Sequence, residues 1–169
     1  MTRQRTRIRT HVRSNPGVHF NEVVRNLDLA PGQVQYHLRR LLGQGAVVEA
    51  RLYGQTHYYP PGYEPWERAA LALLRRETAR DVVLHVLEHG PVAPAAVADA
   101  LGIARSTLEW HLDRLAERDI VRKVRDDGRV TLVVTRPEAT ARLFSLVSPS
   151  LPERMVSRFA RLVDGLLDE

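Results

Sequence analysis

Residues 16–44, PGVHFNEVVRNLDLAPGQVQYHLRRLLGQ, decide the fold. Val23 and Leu27 lie one helical turn apart in a short segment over 20–27. After Leu29-Ala30, Pro31 suits the first turn of a new helix, where its missing N–H would be unpaired anyway. Val34, Leu38, Leu41 and Leu42 then fall at i, i+4, i+7 and i+8, one apolar stripe of a helix over 31–44. At 100° per residue the opposite face carries Gly32, Gln33, Tyr36, Arg39 and Arg40. These are small, polar, aromatic and cationic groups, able to approach a groove, hydrogen-bond base edges and pair with phosphates.

Working outward, Ile8 and Val12 mark a helix over 3–14, stopped by Ser14-Asn15-Pro16-Gly17. Downstream, Val47 to Ala50 and His57 to Tyr59 read as two short strands around a glycine-containing turn, Leu52-Tyr53-Gly54-Gln55. Arg51 and Gln55 sit on that hairpin. Three helices followed by a hairpin make a winged helix-turn-helix.

The whole unit then returns. Residues 16–59 reappear at 90–133, and aligning Tyr36-His37-Leu38 with Trp110-His111-Leu112 gives an offset of 110 − 36 = 74. The same offset superposes Val18 on Val92, Val23 on Val97, Leu27 on Leu101, Ala30 on Ala104, Val47 on Val121, Arg51 on Arg125 and Gly54 on Gly128. Agreement at so many positions marks a duplicated unit. The expected fold class is mainly α with small β-hairpin wings: two tandem winged helix-turn-helix domains plus C-terminal helices.

The stretches NPGVHFNEVVRNLDLAPGQVQYHLRRL and ALGIARSTLEWHLDRLAERDIV resemble the archaeal winged helix-turn-helix transcriptional regulators, within the superfamily that includes the arsenic-responsive repressors. Two such units in one short chain resemble the tandem regulators of archaea, haloarchaea especially. The resemblance covers about residues 5 to 135 and implies double-stranded DNA as partner. Family members commonly cap the third helix with Ser or Thr. Ala30 and Ala104 stand there in this chain, leaving those N-termini to water, a neighbouring group or a DNA phosphate.

The two copies differ in charge. The first 65 residues hold Arg at 3, 5, 7, 9, 13, 25, 39, 40 and 51 against Glu22, Asp28, Glu49 and Glu64, a balance of 9 − 4 = +5. The net charge of the whole chain is also +5, so the remainder is neutral. A phosphate-gripping role therefore falls mainly on the first copy and its N-terminal arginines. The outward face of the second copy is Ser106, Thr107, Trp110, Asp113 and Arg114, with Glu109 at its edge. Two carboxylates there oppose phosphate, making this copy the poorer reader. Its hairpin still carries Arg122, Lys123, Arg125 and Arg129 around Asp126-Asp127-Gly128. Thr107, Arg114 and Arg125 complete the candidate DNA contacts. Trp110 is either an interface residue or covered by a neighbouring segment.

Domain limits follow as 1–62, a linker helix over 63–77 opened by Pro65, a second domain over 78–136, and C-terminal helices over 137–169. Thr78 with Asp81 has the spacing of a capping box. Near the end, Met155, Phe159, Leu162 and Leu166 form a stripe that either closes the second domain or pairs with its copy in a homodimer.

Catalytic signatures are missing: no phosphate-cradling glycine loop, nucleophile elbow or paired carboxylates appear, so the expectation is no enzyme and no cofactor. With zero cysteines there is neither a disulfide nor a thiolate metal site. His85 and His89 are spaced for one helix face but lack a third ligand, and read as surface histidines; no metal site is expected. His37 and His111 flank their core stripes as structural groups. No apolar run reaches the roughly 20 residues of a membrane span, so a cytoplasmic protein is expected. The leading function is a sequence-specific DNA-binding transcriptional regulator reading the major groove through helix 31–44. The alternative is a winged-helix interaction module of the transcription or replication machinery with weak non-specific DNA binding.

Overall fold

The computed structural model describes residues 2–147, and the chain divides into two compact units, Met1–Ala72 and Leu73–Glu169. In the first, α1 (Arg3–Ser14) is N-capped by Thr2, whose hydroxyl accepts the Arg5 N–H at 3.2 Å. It is followed by β1 (Val18–His19), α2 (Phe20–Leu27), α3 (Pro31–Gly43), β2 (Val48–Leu52) and β3 (Gln55–Tyr59). The helices match the sequence reading to within a residue because Pro and Gly bound them.

The sheet departs from it in two ways. β1 makes a third strand, in the order β1-β3-β2, with Val18 opposite Tyr58 and His19 opposite His57. Two residues carry too little periodicity to read as a strand; here the Gly17 N–H, donating to the Tyr58 carbonyl at 2.8 Å, and the buried Val18 side chain fix the pairing. The hairpin strands are also longer than 47–50 and 57–59. Its loop is only Tyr53-Gly54, at φ 48° and 81°, the paired positive angles of a two-residue hairpin turn, so Leu52 already faces Gln55. Ile8, Val12, Val18, Val23, Val34, Leu38, Leu41, Val47 and Tyr58 form one core beneath these elements. Each large aliphatic among them contributes roughly 1.5–3 kcal/mol by leaving water.

α4 (Pro65–Leu74) follows the first wing, and its last residues belong to the second unit. α5 (Glu77–His89), α6 (Pro94–Leu101), α7 (Arg105–Glu117), β4 (Val121–Asp126), β5 (Arg129–Val134) and α8 (Pro137–Val147) complete the order. The expected capping box at Thr78 and Asp81 does not form. Arg76 is the N-cap of α5, with extended backbone and no side-chain cap bond, which places Thr78 inside the helix.

The offset of 74 holds element by element. Adding 74 to the limits of α2 and α3 gives those of α6 and α7. The β1–β3 pair Val18↔Tyr58 becomes the bridge Val92↔Leu132, and the left-handed Asp28 (φ 51°) becomes Gly102 (φ 65°). Similarity in fact continues past the second wing: α8 opens on Pro137 as α4 opens on Pro65, at 137 − 65 = 72. Among the described residues no helix is long and apolar enough to cross a membrane. The apolar stripe of Met155, Phe159, Leu162 and Leu166, expected on the C-terminal helices, lies outside the described residues.

Candidate nucleic-acid interface

α3 buries Val34, His37, Leu38 and Leu41 and exposes Gly32, Gln33, Gln35, Tyr36, Arg39 and Arg40. All five residues placed outward by periodicity are therefore on the surface, on a helix that carries no acidic side chain. Gln35 is a sixth that the stripe argument missed; it lies on the flank facing the wing. Tyr36 is 54% exposed, yet its ring is steadied: the guanidinium carbons of Arg40 and Arg5 lie 5.7 and 6.0 Å from its centroid, and His37 meets it edge-on at 5.2 Å. Ala30 makes no side-chain cap bond, so the first N–H groups of α3 keep their donor capacity at a positive helix end.

Beside α3, an open cleft of about 660 Å³ runs between this helix, the start of α2 and the wing. Phe20, Leu38, Leu42 and Tyr58 supply its apolar lining, and Asn21, Gly32, Gln35, Arg39, Gln55 and Thr56 its polar one. Arg51 and Gln55 are exposed on the wing, as expected. Glu49 also lines the cleft and places a carboxylate opposite the cations.

Two of the N-terminal arginines expected to face phosphate do other work. Arg5 is buried and its Nε–H donates to His37 Nδ1 at 3.4 Å. The sequence did carry the signal, since Arg5, Ile8 and Val12 share one face at spacings of 3 and 4. Arg7 donates to the Leu27 carbonyl at 3.0 Å and so closes the C-terminus of α2. Burial, then the charges of Arg5 and Arg40, pull the His37 pKa below its ordinary value. The neutral ring is what an acceptor Nδ1 requires.

In the second unit, α7 exposes Arg105, Ser106, Thr107, Trp110 and Asp113 over buried Leu108, Leu112 and Leu115. Trp110 is 50% exposed, with the Arg114 guanidinium 3.6 Å from its ring centroid and His111 edge-on at 4.8 Å. The aromatic, histidine and arginine thus repeat as a spatial group. Glu109 is held on both sides: Oε1 is 3.3 Å from Arg105 Nε and Oε2 is 2.7 Å from Lys123 Nζ. The Lys123 hydrogen bond, above all, keeps its carboxyl below the usual range. This corrects the charge argument for the second copy. Glu109 does not meet solvent as an uncompensated anion, and Lys123 of β4, though exposed like Arg122, Arg125 and Arg129, spends its charge on Glu109 of α7.

Two family models match consecutive segments of the chain: one described as an N-terminal HTH domain over residues 2–71 and one described as a helix-turn-helix domain over residues 73–124. The chain carries two helix-turn-helix domains in tandem. The boundary between the matches falls beside the division between the two compact units. This tandem helix-turn-helix protein is also 23% identical, over 130 residues, to an uncharacterised HTH-type transcriptional regulator of Methanocaldococcus jannaschii. That alignment takes in 77% of this chain but only 33% of the relative's length. Among solved structures, T. potens IscR is 14% identical with a TM-score of 0.35, covering 62% of this chain and 76% of that one. A conserved hypothetical protein from Chlorobium tepidum is 18% identical with a TM-score of 0.34, covering 86% and 99%. At such scores neither adds to the assignment.

His85 and His89 stack with ring centroids 4.4 Å apart, and among the described residues no three His, Cys, Asp or Glu gather as a metal site.

Proposed function

We propose that this protein is a sequence-specific double-stranded DNA-binding transcriptional regulator that reads the major groove mainly through α3. The supporting observation is the face of that helix: Gly32, Gln33, Tyr36, Arg39 and Arg40 are all exposed, with no acid on the helix and an uncapped N-terminus. Gln33, Tyr36 and Arg40 would meet base edges, and Arg39 a phosphate. The cleft beside α3 suits the sugar-phosphate strand that separates the major groove from the minor, with Gln55 lining its far side and Arg51 exposed on the same wing. Thr107, Arg114 and Arg125 are the corresponding contacts of the second unit. We place the chain with the haloarchaeal-type tandem regulators of the arsenic-responsive-repressor-like superfamily, acting in the cytoplasm without cofactor or catalysis. A homodimer formed through Met155, Phe159, Leu162 and Leu166 belongs to the same reading.

The experiment is selection of bound fragments from random duplex DNA at two salt concentrations, with an Arg39→Ala/Arg40→Ala variant as control. A motif that the variant loses supports the reading, and a palindromic one adds the dimer. Motif-free binding that vanishes with salt would leave the second reading, a protein-interaction module of the transcription or replication machinery. One observation favours that reading: α7 presents Trp110 beside exposed Asp113.

A further inference from the structure

The two units differ in the gap between reading helix and wing. In the first, Gln35 and Glu49 line an open cleft with Arg39. The positions 74 residues on, 35 + 74 = 109 and 49 + 74 = 123, are Glu109 and Lys123, which join across the gap at 2.7 Å. Arg105, on the first turn of α7, holds the other oxygen of the same carboxylate at 3.3 Å. One carboxylate thus engages one cation from the helix and one from the wing. A phosphate lying between helix and wing would engage the same pair, since both donors sit on the two elements that flank such a strand.

We infer that Glu109 is a built-in phosphate surrogate, which straps α7 to β4, occupies Arg105 and Lys123, and thereby leaves most of the backbone gripping to the first unit. The inference rests on the reading that the protein binds duplex DNA through α3. All three side chains are a third or more exposed, at 54%, 33% and 37%, so the strap is weak. It sets a bias between the units, and DNA of sufficient local concentration opens it.

The test uses the full chain and a 30-base-pair duplex of random sequence, with affinity followed against salt. Glu109→Gln keeps the shape and releases both cations. It is expected to steepen the slope of log K against log salt by about one to two, one counterion for each freed phosphate contact. Affinity at low salt rises about two- to tenfold, the range of two exposed pairs. Glu138→Gln, which adds the same unit of charge on α8, controls for bulk charge and leaves the slope near wild type. Lys123→Met breaks the strap without freeing a cation on the wing and gives no gain. A Glu109→Gln slope equal to that of Glu138→Gln overturns the strap; so does a gain with Lys123→Met as large as with Glu109→Gln. Thermal melts check that each variant is folded. Repeating Glu109→Gln on the Arg39→Ala/Arg40→Ala background separates the two claims. If α3 is not a gripping element, that double variant keeps the wild-type slope, whatever Glu109→Gln does on top of it.

Discussion

Gly32 offers a test in which stability and function move in opposite directions. It is the second residue of α3, its φ is not in the left-handed region, and a Cβ built there meets nothing within 4 Å. No packing or backbone requirement inside the protein calls for glycine. A glycine inside a helix costs about 0.5–1 kcal/mol relative to alanine. Gly32→Ala should therefore raise the stability of the first unit by about that amount, a shift of roughly 2–8 °C in its transition for a domain of this size. If glycine is there to let the start of α3 approach DNA closely, the added methyl is overpacked in the complex. Such insertions cost about 1–3 kcal/mol, a loss of roughly thirtyfold at the middle of that range. Calorimetry and fluorescence-anisotropy titration on a selected operator read the two effects. Gly43→Ala is the control, because its Cβ is equally unopposed at the far end of the same helix. It should stabilise without weakening binding. An unchanged operator affinity in Gly32→Ala, with the gain in stability present, would refute the docking of α3 by its N-terminal turn.

Other variants probe the remaining parts. Arg40→Ala should cost about 1–3 kcal/mol on the selected operator and much less on random duplex, since a base-edge contact is lost; equal losses on both DNAs would make Arg40 a phosphate contact instead. Leu38→Ala, at a site 2% exposed, should destabilise the first unit by about 2–5 kcal/mol, read by denaturant unfolding. Burial, with the nearby charges of Arg5 and Arg40, holds the folded pKa of His37 below the ordinary histidine value of about 6.5, so its contribution to stability is complete above about pH 6.5 and is lost as pH falls through the lowered folded value. His37→Asn retains an acceptor for Arg5 and cannot titrate. Its stability should fall less steeply than wild type below pH 6.5, and matching profiles would assign the acid loss to other groups.

Much of the fold was legible because its punctuation is strong. Pro16-Gly17 ends α1, Pro31 starts α3 and Gly54 sits in the hairpin, so helix limits followed without any knowledge of contacts. What escaped depended on partners distant in the chain. β1 is two residues long and exists through Tyr58, 40 positions away from Val18. The Thr78-Asp81 spacing met the local rule for a capping box, but the break after Leu74 and the extended Arg76 started α5 one residue before Thr78. At the candidate interface, periodicity placed Gly32, Gln33, Tyr36, Arg39 and Arg40 outward and missed only Gln35 on the flank toward the wing, whereas the roles of charged groups were harder to read. Arg5 counted as a phosphate ligand until its place on the buried face of α1 gave it to His37. Glu109 and Lys123 were read as separate features of a helix and a wing, because only the hairpin's fold brings them within 2.7 Å.

Duplication makes the division between fold and function visible within one chain. At an offset of 74, buried positions carry like residues: Val23 and Val97, Val34 and Leu108, Leu38 and Leu112, Leu41 and Leu115, Val47 and Val121. Packing holds these pairs, because a change of one methylene in a close-packed core is felt directly. Exposed positions around the reading helix have instead changed charge: Gln35 to Glu109, Arg39 to Asp113, Gly43 to Glu117 and Glu49 to Lys123. Over the helix itself the balance goes from two arginines without an acid in α3 to two arginines against three acids in α7, from +2 to 2 − 3 = −1. Such changes cost little in stability, since exposed charges are well solvated. They alter greatly what each face can approach. The same scaffold thus presents one face without an acid and another whose carboxylate already engages a cation from the helix and one from the wing, so on the proposed reading the second face would gain affinity for DNA only as Glu109 lets go.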